Sequence, residues 1–90
     1  MSESSSEELD EFVQEYVTRY AESAAIAAVR YRRYLCRKGL SEDEAIYRAA
    51  KQAVSMVMAS GLDREKLLET FEELHAVTAA IISWLRKELK

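Results

Sequence analysis

The sequence predicts an all-α protein, a three-helix protomer (long, short, medium) that assembles into an oligomeric helical bundle. Three observations lead there. There is no proline, the two glycines, Gly39 and Gly61, each fall where a long helical pattern stops, and each is followed by a leucine and then a capping residue. A glycine just past a helix end adopts the left-handed conformation without a β-carbon penalty, so the pair marks two chain reversals and three helices.

The first helix is expected over residues 6–38, after a frayed tail at 1–5. A serine cap within Ser4 to Ser6 precedes Glu7, Glu8, Asp10 and Glu11, acids that favour the positive end of the helix dipole. Helix 2 is expected over 41–60: in KGLSEDEA, Ser41 accepts from the first free amides and Glu44, three residues on, completes a capping box. Helix 3 is expected over 63–89, with Asp63 as N-cap and Leu62 packing on Leu67 as a hydrophobic staple. All 90 residues form one domain, with no linker or internal repeat.

Apolar spacing selects a core stripe on each helix. On the first it runs through Leu9, Val13, Tyr16, Tyr20, Ala24, Ala27, Tyr31 and Tyr34, with Val17, Ala28 and Leu35 beside it. On the second it is Ile46, Ala49, Ala50, Ala53 and Val57. On the third it is Leu67, Phe71, Leu74, Thr78, Ile81 and Leu85, spaced like a coiled-coil seam. The faces behind these stripes are not polar. Ala25, Ile26, Val29 and Cys36 lie behind the first, and Ala76, Val77, Ala80, Ser83 and Trp84 lie behind or beside the third. Small residues at that spacing admit a second helix, and leaving them in water is an association liability, so these nine positions are the expected oligomer interface. The expected partner is a second copy, in a homodimer.

Composition narrows the function classes. A net charge of -3 with 49% hydrophobic and 32% charged residues fits a folded, water-soluble chain and does not make nucleic acid the expected partner. No charge-free run reaches the ~18 residues of a membrane span, and the acidic, serine-rich start is unlike a signal peptide. A single cysteine, Cys36, suits a reducing compartment, and a cytoplasmic protein is expected.

Two clusters offer alternatives. RYRRYLCRK places Arg30, Arg33 and Arg37 on one face, with Arg32 and Lys38 nearby; arginine forks with interleaved tyrosines bind polyanions, although cations at a helix C-terminus also complement its dipole. EELH holds Glu72 three residues before His75, the Glu-x-x-His spacing of metal-binding bundles, and an imidazole also ligates haem. Neither forms a full ligand set, so no metal site and no cofactor is assigned. Cys36 has Arg33 and Arg37 beside it but no placed base, and no catalytic residue is expected.

The order long, short, medium helix, with GLDREKLLETFEEL opening the last, is similar to the all-helical chorismate mutases. That resemblance implies an intertwined dimer. It does not imply the activity, because the family's Arg-Glu pair early in helix 2 falls on Ala45 and Ile46 and its late glutamine falls near Ile82. Glycines only at helix ends, absent proline and repeated leucine-plus-cap starts also resemble an idealised, de novo designed bundle. The expected role is that of a structural or interaction protein rather than an enzyme.

Overall fold

The computed structural model describes residues 2–90, with side chains from Ser6 onward. It contains three α-helices and, among the described residues, no strand: α1 (Ser2–Arg37), α2 (Glu42–Ala59) and α3 (Arg64–Glu88). The tail expected over 1–5 falls partly outside the described residues, namely Met1 and the side chains of 2–5; the helix itself starts at Ser2.

Local chemistry sets the two reversals. At the end of α1, Gly39 takes φ +101°, its N–H donates to the Cys36 carbonyl at 3.0 Å, and the Leu40 N–H donates to the Leu35 carbonyl at 3.2 Å. That pair of bonds is the Schellman closure, and it satisfies carbonyls the helix end would otherwise leave free. Gly61 also takes a positive φ, +73°, after α2, but Ser60 closes that end: its N–H and hydroxyl donate to the Val57 carbonyl at 3.3 and 2.7 Å, and the Leu62 N–H donates to the Ser60 hydroxyl at 3.1 Å. The Ser41 hydroxyl accepts from the Glu44 N–H at 3.3 Å, and Asp63 accepts from the Glu65 and Lys66 N–H groups at 3.0 and 3.3 Å. Only half of the expected capping box forms. The Glu44 carboxylate turns to Arg48, 3.0 Å away and one helical turn ahead, where an opposite charge holds it.

α2 folds back antiparallel on the second half of α1. Arg32 reaches Glu42 at one end, and the Tyr20 hydroxyl donates to the Met56 carbonyl at the other. The contact rests on small residues: Ala45 and Ala49 are buried, Ala53 and Val57 half-buried, every fourth position along one ridge. α3 then crosses α1, and Leu67, 1% exposed, closes over Val17 and Ala21 with Tyr20, Val57, Leu62 and Phe71 packed around them. Thr70 is buried there too, its hydroxyl donating to the Lys66 carbonyl at 3.0 Å.

The buried face of α1 is not the expected one. Val17, Ala21, Ala24 and Leu35 are buried and Ala28 half-buried, whereas Leu9, Val13, Tyr16, Ala27, Tyr31 and Tyr34 are exposed. At about 100° per residue the covered face is turned roughly 75° from the expected stripe. The physical reason is size: α2 presents alanines, which approach α1 closely only where α1 is also small, beside Ala24 and Ala28 rather than over the tyrosine rings. On α2, Ile46 and Ala50 are likewise exposed, and on α3 the expected seam is covered only at Leu67, Phe71 and Leu74, not at Thr78, Ile81 and Leu85.

Candidate functional site

Apolar surface remains uncovered on several faces, Ile26, Val29, Tyr31 and Tyr34 of α1 among them, and three further places stand out. The first is the outer third of α1, where Leu9, Phe12, Val13 and Tyr16 share one face; all are exposed, Phe12 to 65%. The second is the outer half of α3. Every described residue after Leu74 is exposed, and Val77, Ile81, Ile82, Trp84, Leu85 and Leu89 lie open, Trp84 to 70%. The third is a groove of about 500 Å³ among the three helices, floored by Ala25, Ala28, Ala50 and Ala53 and walled by Val54, Leu68 and Phe71, with Arg64 at its edge.

The dimensions show how much is left open. The molecule measures 56 × 34 × 17 Å with a radius of gyration of 16.8 Å; a compact chain of this length has a radius near 12 Å by the usual scaling (about 2.2·N^0.38). Its accessible surface is 7472 Å². A folded monomer of 10.3 kDa exposes about 5,400 Å², so roughly 2,000 Å² is in excess.

Of the nine expected interface residues, five lie on the open half of α3, one in the groove, and Ile26, Val29 and Cys36 elsewhere on α1. Ile26, Val29, Ala76, Val77, Ala80, Ser83 and Trp84 are exposed; Ala25 is half-buried in the groove floor, and Cys36 is half-buried. Reading stripes from spacing placed Leu9, Val13 and Tyr16 in the core and left out Phe12 and Leu68. The signal for Phe12 was present in its position three residues after Leu9 and four before Tyr16. The groove had no such signal, because it depends on where α3 crosses.

The basic cluster is partly engaged. Arg32 pairs with Glu42 at 3.5 Å, and the Lys38 ammonium lies 5.5 Å from the centre of the Tyr34 ring, which in turn stacks on Tyr31 at 6.3 Å. Arg30, Arg33 and Arg37 are exposed. Tyr31 also borders a shallow depression with Glu44, Tyr47, Arg48 and Lys51, where acid and base mix rather than forming a uniformly positive cradle. Glu72 and His75 are both exposed on α3, and among the described residues no three of His, Cys, Asp or Glu converge as a metal set would.

No helix of the described residues is long and apolar enough to cross a membrane. Comparison with protein-family models, curated proteins and solved structures returns no match.

Proposed function

We propose that this chain is a self-assembling helical protein, a homodimer working in the cytoplasm, whose role is association rather than catalysis. The observation that carries the reading is the excess of roughly 2,000 Å² of surface per protomer, much of it on apolar helix faces. Obligate homodimers bury about 2,000–5,000 Å² in total, which is about the area two such protomers have to hide. A monomer rarely keeps apolar patches of that extent in water.

The second support is continuity. Along α3 one face runs from Leu67 through Phe71 and Leu74 to Ile81 and Leu85; its first half is packed on α1 and its second half is open. The same driving force acts on both halves, and a second protomer is the simplest cover for the open one. Light scattering at micromolar concentration tests the proposal. The expected mass is twice 10.3 kDa. A concentration-independent mass of 10.3 kDa overturns it.

A further inference from the structure

Building on the dimer reading, we propose that the uncovered seam of α1 pairs with the same seam of a second copy, the two α1 helices running antiparallel. The seam follows Leu9, Val13, Tyr16, Ala27, Tyr31 and Tyr34, all exposed, and passes exposed Ser23 and half-buried Tyr20 at its middle. From end to end it spans about 37 Å of helix. α2 and α3 cover the neighbouring face of α1 and engage the seam at Tyr20, whose hydroxyl donates to the Met56 carbonyl, while its other residues stay accessible.

Charge selects the direction. The outer part of α1 carries Glu7, Glu8, Asp10, Glu11 and Glu15 with no base before Arg19, whereas its other end carries Arg30, Arg32, Arg33, Arg37 and Lys38. Parallel pairing sets acid against acid and base against base. Antiparallel pairing sets each acidic end against a basic end, twice over by the two-fold symmetry, and opposite potentials of this kind fix orientation and register.

Shape selects the register. With the two-fold axis between Ala21 and Glu22, Leu9 of one copy lies opposite Tyr34 of the other and Tyr16 opposite Ala27, Val13 comes beside the Arg30 stem, and the two Ser23 residues flank the axis. Near the axis each ring meets a small residue, the alternation of large and small that lets facing helices interdigitate. The residues that made this stripe look like a monomer core are thereby buried after all, between copies.

Cysteine pairing tests the register. In a Cys36→Ser background, Ser23→Cys lies close to the proposed axis, while Ser83→Cys sits on the far side of α3; both native serines are exposed. On mild oxidation the Ser23→Cys chain is expected to become mostly covalent dimer and the Ser83→Cys chain to stay uncrosslinked. Dimeric mass with crosslinking only through Ser83→Cys, with equal crosslinking of both, or with none, overturns the α1 pairing and leaves the dimer standing. Monomeric mass overturns both. Paired charge insertions give an independent check: Ala27→Glu, opposite Tyr16, is expected to weaken association at least tenfold, and Val29→Glu to change it less than threefold. The reverse order overturns the proposal.

Discussion

Leu67 and Leu68 are the same residue side by side, and the structure separates them: Leu67 is 1% exposed over Val17 and Ala21, whereas Leu68 is 58% exposed on the groove wall. Leu67→Ala removes three buried carbons, each worth about 0.8 kcal/mol in transfer from water, or roughly 2.4 kcal/mol together. The added penalty for an enclosed void is small here, because Leu67 borders the open groove and water can enter the space left. The expected loss is therefore about 2–3 kcal/mol, near the low end for buried leucines. With an m-value near 1.5 kcal/mol/M, that lowers the urea midpoint by about 1–2 M without changing m. Leu68→Ala should lose less than about 1 kcal/mol, since much of that side chain is already in water. Far-UV circular dichroism followed through a urea titration measures both, at one fixed protein concentration because association shifts the apparent stability. Equal losses for the two variants would refute the placement of Leu67 at the centre of the α1–α3 contact.

Asp63→Ala removes the acceptor for two N–H groups at the start of α3 and is expected to destabilise by about 0.5–2 kcal/mol, read in the same titration. Gly61→Ala meets no atom within 4 Å, yet its φ of +73° is strained for an alanine, so a loss of about 1–2 kcal/mol is expected despite the open space. Trp84, exposed to 70% in the protomer, should show fluorescence emission that shifts to the red as the protein is diluted below its dissociation constant. Emission independent of concentration across a measured change in mass would place α3's outer half outside the dimer contact.

The signals legible in the sequence were the local ones. Gly39 and Gly61 end their helices, and Ser41 and Asp63 start theirs, because each acts on backbone groups within a few residues and depends on nothing farther away. Glu44 shows the limit of that locality: its spacing suits a capping box, but Arg48 competes for the same carboxylate. The surplus of apolar faces over what three helices need was also legible, in the small and apolar residues Ala25, Ile26 and Val29 behind the first stripe and Ala76, Val77 and Ala80 behind the third.

Which face of α1 was covered was decided only in three dimensions. Spacing favoured the stripe with the largest side chains, Leu9 to Tyr34, because it ranks faces by hydrophobic content. Packing ranks them by fit as well. α2 buries Ala45 and Ala49 and the facing half of α1 buries Ala24 and half-buries Ala28, small residues on both sides, while α3, leaving the short turn at Gly61, meets α1 at Val17 and Ala21 and runs past it. The sequence by itself thus determined three helices, the two reversals between them and an excess of apolar surface, since those follow from local bonding and composition. The tertiary structure alone decided which of that surface lies inside the protomer, because a close-packed contact depends on the shapes of two helices at once.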